Sequence, residues 1–147
     1  MIQTDICIVG AGPVGLFAVF EAGLLKMRCH LVDVLPQIGG QLSEIYPKKP
    51  IYDIPGFPEI MAGDLVTNLA RQIEPFKPGF TLGEKVTGLS KRLDGTFEVV
   101  TSDETRISCK AIVIAAPTQA RPPAARVVAL TPPAARGAGS TPRSRWR

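Results

Sequence analysis

Apolar residues along this chain fall into runs of two periods, and the switching between them lays out the elements. "TDICIVG", Thr4 to Gly10, alternates weakly yet is apolar enough for a parallel strand buried on both faces. Past the glycines that follow, Val14, Leu16, Phe17, Phe20, Leu24 and Leu25 predict a helix with a broad apolar face, ending near Lys26. "CHLVDVL", Cys29 to Leu35, predicts a second strand. Together these make one β-α-β unit of about 35 residues, the length such a unit needs. A second helix is expected from Gly63-Asp64 to about Glu74, with Leu65, Leu69, Ile73 and Phe76 on one face. "FTLGEKVTGLSKRL" and "TFEVVTS" flank Asp94-Gly95 and predict a hairpin with a tight turn. "ISCKAIVIAA" is then expected to carry the chain back into the parallel sheet. The fold class is α/β, a Rossmann-like parallel sheet with an antiparallel hairpin attached.

Two stretches break these patterns. Pro36 to Pro58 reads as loop, with five prolines and two adjacent glycines. Ile38, Leu42, Ile45, Tyr46, Ile51, Tyr52, Ile54 and Phe57 make it too apolar for disorder, so something must cover it. The second break comes after Ala116. Pro, Ala and Arg make up 19 of the last 31 residues, without strand or helix period, and a disordered tail is expected over 117–147.

Charge follows the same division. Residues 1–116 hold 11 Lys and Arg against 13 Asp and Glu, whereas 117–147 hold six Arg and no acid. The overall net charge of +4 is thus an end effect on a slightly acidic body. Cys7, Cys29 and Cys109 form no C-x-x-C and no metal-ligand spacing with the single histidine, His30. They are expected to pack as small hydrophobes, and unpaired thiols suit a reducing compartment such as the cytoplasm. Ile6 to Leu25 carries only Glu21 as a charge, yet no Lys or Arg precedes it and glycines and a proline interrupt it. A strand, a turn and a helix account for it better than a signal peptide or membrane span.

The chemistry concentrates at Gly10-Ala11-Gly12-Pro13-Val14-Gly15, a G-x-G-x-x-G between a predicted strand and helix. Asp33 stands eighteen residues after Gly15, at the end of the next strand. Gly10 permits a tight turn, Gly12 lets backbone approach a pyrophosphate, and Gly15 lets the helix lie close on the strand. The helix N-terminus then offers amides and a positive dipole end to an anion. A carboxylate at Asp33 can bind both hydroxyls of an adenosine ribose and would repel a 2′-phosphate. Gly39-Gly40-Gln41-Leu42 follows within the apolar loop. Paired glycines allow backbone to pass close to a flat ring, and the Gln41 amide can both donate and accept at the polar edge of a flavin. On the residues alone, a glycine turn with a solvated glutamine explains that segment as well.

The stretch "DICIVGAGPVGLFAVFEAGLLKMRCHLVDVLPQIGGQLSEIYPKKPIYDIPGFPEIMAGDLV" resembles the FAD-binding domain of ferredoxin–NADP⁺ reductases of the thioredoxin-reductase-like type. The resemblance covers roughly residues 4–116, and its specific part is "GGQL", "YPKKP" and "IYDIPGFP" in succession. It implies a glutathione-reductase-type FAD domain over 1–116, with Gly10, Gly12, Pro13 and Gly15 at the pyrophosphate and Asp33 at the ribose. It also implies that Gln41 and Tyr46 contact the flavin end and that Val86 contacts adenine through its backbone. Taken without the family, Tyr46 reads equally as loop packing and Val86 as a sheet residue. The family reaction passes a hydride from NADPH to the flavin, then electrons to ferredoxin or flavodoxin. A homodimer is compatible with that family, and neither a membrane nor nucleic acid is expected as partner. No catalytic residue and no metal ligand is assigned.

The resemblance stops at Pro117, where related proteins carry a glycine, and Arg121 fits no flavin-side aromatic. The nicotinamide domain of the family and its returning segment are not in this sequence, so little activity is expected of the chain as it stands. An abrupt break, proline and arginine enrichment, no acids and no period are what a frameshift or truncation at about Ala116 would produce. A genuine basic tail that binds nucleic acid or an acidic partner is the competing expectation. Three function classes follow: an FAD-dependent oxidoreductase fragment, a sibling flavoenzyme of thioredoxin-reductase or monooxygenase type, and a nucleotide-binding adaptor with a basic tail.

Overall fold

The structure is a computed structural model and describes residues 1–116. The disordered tail, the break at Ala116 and the basic-tail reading all lie outside the described residues.

The chain opens with β1 (Ile2–Gln3) and β2 (Ile6–Val9), then α1 (Pro13–Leu24) and β3 (Cys29–Asp33). The expected loop holds α2 (Gln41–Glu44) and the two-residue strands β4 (Pro50–Ile51) and β5 (Ile60–Met61) before α3 (Ala62–Ile73). A 3₁₀ turn, Glu74–Phe76, leads to β6 (Gly79–Leu82). The rest is β7 (Val86–Lys91), β8 (Phe97–Thr101), β9 (Arg106–Cys109) and β10 (Ala111–Ile114). A parallel sheet runs in the order β10-β2-β3-β6, and a second sheet in the order β1-β9-β8-β7. The antiparallel β4–β5 ribbon stands apart from both.

These elements form three layers with the parallel sheet in the middle. On one face, Ile8 and Leu31 pack against Leu16, Val19 and Ala22 of α1 and Val66 and Ile73 of α3. On the other, Cys7 and Val32 meet Val99, Ile107 and Cys109 of the second sheet. A strand covered on both sides gains by being apolar at every position, which is why β2 and β3 show so little alternation. All three cysteines are free and buried, as expected. Among the described residues no helix is long and apolar enough to cross a membrane.

The structure redraws three sequence boundaries. "FTLG" belongs to the parallel sheet, as β6 beside β3, and the hairpin arm begins only at Val86. The turn around Asp94-Gly95 lies in a wider loop, closed by Arg92 N–H donating to the Thr96 carbonyl at 2.8 Å. "ISC" forms β9, antiparallel to β8 and parallel to β1, so only Ala111–Ile114 rejoin the parallel sheet. Local pattern could not separate these cases, because an apolar run of four residues suits either sheet.

Two polar groups pin the sheet. Asp5, at the entry to β2, accepts from Arg28 N–H at 2.9 Å and from Lys110 Nζ at 2.8 Å, while its carbonyl accepts from the Lys110 and Ala111 amides. It thereby ties the starts of β2, β3 and β10 together. The Lys110 ammonium and the Arg28 amide hold its carboxyl well below the usual carboxylate range. His30 is buried in β3, its Nε2 within 2.8 Å of Thr81 Oγ1, and burial pushes its pKa down.

Both shifts make acid destabilising, since the unfolded chain takes up protons that the fold resists. For His30, stability should fall as pH drops below about 6.5, its unfolded value. Urea midpoints measured from pH 7 to pH 5 should show this slope, and His30→Gln should flatten it. For Asp5 the loss begins below about pH 4, and Asp5→Asn should lower the midpoint at pH 7 while blunting that acid branch.

Candidate nucleotide-binding site

The glycine turn sits where β2 gives way to α1, at the carboxyl edge of the parallel sheet. Gly10 has φ +111°, a conformation that strains any residue with a side chain. A Cβ there would also lie 2.7 Å from the Ala115 carbonyl carbon at the end of β10. A Cβ on Gly15 would meet the Gly10 carbonyl oxygen at 1.9 Å, so the first turn of α1 rests directly on the turn below it. Gly12 differs: a Cβ there would meet nothing within 4 Å. Its missing side chain leaves open space in front of the helix N-terminus, where no side chain caps the amides. Pro13 occupies the first helical turn. The uncapped amides and the dipole end therefore face unfilled space, the arrangement an anion requires.

Asp33 ends β3 beside this turn. Its Oδ2 accepts from Ala11 N–H at 2.6 Å, and its Oδ1 accepts from Leu35 N–H at 2.9 Å. Sequence reasoning treats this carboxylate only as a ligand group, whereas here it also holds the glycine turn in place. A carboxylate has about four acceptor positions, so two amides leave capacity for ribose hydroxyls. The paired glycines join the same cluster. Gly39 N–H donates to the Ala11 carbonyl at 2.8 Å, and a Cβ on Gly40 would lie 3.2 Å from Gly12 Cα. Gln41 opens α2 directly after them. Gly10, Gly12, Pro13, Gly15, Asp33 and Gln41 are thus gathered at one edge of the sheet.

Two expected residues stand further out. Tyr46 follows α2, about half exposed at 51%, with Lys49 Nζ 5.4 Å from its ring centroid. Val86 begins β7, and its connection to the cluster runs through Glu84, whose N–H donates to the Asp33 carbonyl at 3.1 Å. Glu84 is the residue that sequence reasoning missed. It carries no spacing signal, because its partners are Asp33 on one side and Thr101 on the other.

Two concave spaces lie elsewhere. A groove of about 700 Å³ is lined by Phe57, Met61, Asp64 and Asn68, and a smaller one of about 280 Å³ by Ile38, Ile73 and Phe80. Neither contains a residue of the glycine cluster. Among the described residues no group of His, Cys, Asp and Glu could hold a metal ion.

The chain is 67% identical over 115 residues to ferredoxin–NADP reductase 1 of Christiangramia forsetii, covering 78% of this chain and 33% of that protein. It is 64% identical over 115 residues to ferredoxin–NADP reductase of Flavobacterium johnsoniae, with the same coverage of 78% and 33%. The chain therefore spans about a third of the length of the curated relatives it matches. Among solved structures it is similar to Lactococcus lactis thioredoxin reductase, with TM-score 0.63, 25% identity and coverage of 76% of this chain and 34% of that one. T. acidophilum thioredoxin reductase gives TM-score 0.65 at 24% identity over 78% of this chain and 35% of that one. No family model matches the chain. The fold is the Rossmann-like FAD-binding fold of these neighbours.

The glycines give a test that separates scaffold from ligand space. Gly15→Ala should destabilise the fold by about 2 kcal/mol or more, since backbone and not a mobile side chain blocks the new methyl. Gly12→Ala, at the helix N-cap but with open space for the methyl, should cost about 1 kcal/mol or less. Urea unfolding of the two variants checks the difference.

Proposed function

We propose that this chain, whose N-terminal part is homologous to the ferredoxin–NADP reductases, binds FAD through residues 1–116 as the flavin-carrying unit of such an oxidoreductase. The observation that carries this reading is the open space at Gly12 before an uncapped helix N-terminus, with the Asp33 carboxylate beside it.

In this reading the amides at the start of α1 bind the pyrophosphate, and Gly12 lets it approach the backbone. Asp33 accepts hydrogen bonds from the ribose hydroxyls with the lone pairs its two amide donors leave free. Val86 meets adenine through its backbone. Gln41 and Tyr46 orient the flavin, the first by its amide and the second by its ring. Bound flavin would supply hydride and single-electron transfer between NADPH and a ferredoxin or flavodoxin. The residues of this chain bind and orient, and none of them has to move a proton. Residues 117–147 form a separate Pro/Ala/Arg-rich segment in this scheme. Free, buried thiols at Cys7, Cys29 and Cys109 fit a reducing compartment such as the cytoplasm.

Titrating the purified chain with FAD and following flavin fluorescence tests the proposal. Binding should be saturable, with little reduction of the flavin on adding NADPH. Asp33→Ala should weaken binding by about 1–3 kcal/mol, the order for a lost hydrogen bond to a charged group. Because Asp33 also holds Ala11 and Leu35 N–H, the variant should lose some thermal stability too. Equal affinity in variant and wild type would remove the ribose assignment.

A further inference from the structure

The turn that joins the two sheets runs from Gly83 to Val86, and it is held from both sides. Toward the parallel sheet, Gly83 N–H donates to the Leu35 carbonyl at 3.0 Å and Glu84 N–H donates to the Asp33 carbonyl at 3.1 Å. Toward the second sheet, Ser102 N–H donates to the Lys85 carbonyl at 2.7 Å, and Lys85 N–H donates to Ser102 Oγ at 3.2 Å. Four backbone groups of one turn are thus divided between the end of β3 and the end of β8.

One side chain spans the same gap. The Thr101 hydroxyl donates to Glu84 Oε2, and Thr101 Oγ1 accepts from Thr105 N–H at 3.1 Å. Thr101 is buried, with 2% of its surface exposed, and apart from Glu84 its hydroxyl reaches only the Thr105 carbonyl, at 3.5 Å. Among the described residues, no other side chain of this turn makes a hydrogen bond. Thr101 is also the register partner of Val86 in the β7–β8 ladder, where a bulge follows directly between Val86 and Gly88. The ladder is therefore irregular just where Val86 sits, and ordinary strand pairing does not hold that residue alone.

We infer that Glu84 is a positioning residue that fixes the distance between the ribose carboxylate of Asp33 and the adenine-facing backbone of Val86. This deepens the FAD-binding reading and rests on it. Through its N–H, Glu84 takes its place from β3. Through its carboxylate, it locks to the residue opposite Val86. Removing the carboxylate leaves the turn to its backbone bonds alone and leaves the buried Thr101 hydroxyl only the distant Thr105 carbonyl, at 3.5 Å, as acceptor. The adenosine half of a dinucleotide, which must touch both Asp33 and Val86, loses a preformed gap. The flavin half, gathered around Gly12, Gly40 and Gln41, keeps its own supports.

The test compares ligands that carry the adenosine half with one that does not, on the full chain. Affinities for FAD, ADP and FMN are measured for wild type, Glu84→Ala and Glu84→Gln. Glu84→Ala should bind FAD and ADP about tenfold more weakly and bind FMN as wild type does. Glu84→Gln, whose amide oxygen can still accept from Thr101, should recover most of the loss. Equal FAD and ADP affinity in wild type and Glu84→Ala overturns the inference and leaves the FAD reading standing. A parallel loss for FMN also overturns it, by showing that Glu84 supports the domain as a whole. If wild type binds none of the three ligands, the FAD reading and the inference fall together.

Discussion

Gly15 lies so close above the carbonyl oxygen of Gly10 that one methyl group has no room between them. That contact sets how far the first helix stands from the sheet, and the site depends on it. With α1 seated on the turn, its uncapped first-turn amides open at the carboxyl edge of β2, level with the ends of β3 and β10. Gly10 makes the matching approach on its other side, against Ala115, so β10 is part of the same arrangement. A larger residue at either position would lift the helix and spread the uncapped amides at its start.

The three-layer architecture explains why such a turn can be held rigidly. The parallel sheet is covered by helices on one face and by a second sheet on the other, so its strands cannot shift without exposing apolar surface. At the amino edge of the sheet Asp5 ties β2, β3 and β10 together by ion pairing and backbone bonds. At the carboxyl edge Asp33 does the comparable work with Ala11 and Leu35. The two carboxylates differ in what remains to them. Asp5 is committed to a lysine and an arginine, whereas Asp33 is bonded only to backbone amides and keeps lone pairs for another partner. This is the carboxyl-edge crevice in which open α/β sheets bind ligands.

Much of this was legible from residue order. The strand–glycines–helix–strand unit, the close packing at Gly10 and Gly15 and the place of Asp33 at the end of the second strand all follow from residue order within this one unit. At Gly12 the structure leaves open space where a side chain would stand. The boundaries of β6 and β9 were less legible. "FTLG" and "ISC" are short apolar runs that suit either sheet, and only their neighbours decide which one takes them. Likewise the loop from Pro36 to Pro58 showed its need for cover without showing the α2 turn or the β4–β5 ribbon.

The sequence by itself determined a dinucleotide-type β-α-β unit, a carboxylate at the end of its second strand and a change of character after Ala116. These are written in adjacent residues and need no distant partner. Tertiary structure alone decided that Asp33 also braces the glycine turn, that the paired glycines at 39 and 40 pack on Ala11 and Gly12, and that Glu84 spans the two sheets. The physical reason is the same for each. A hydrogen bond or a close approach between residues seventeen to fifty-one positions apart depends on how whole layers stack, and no local period records it.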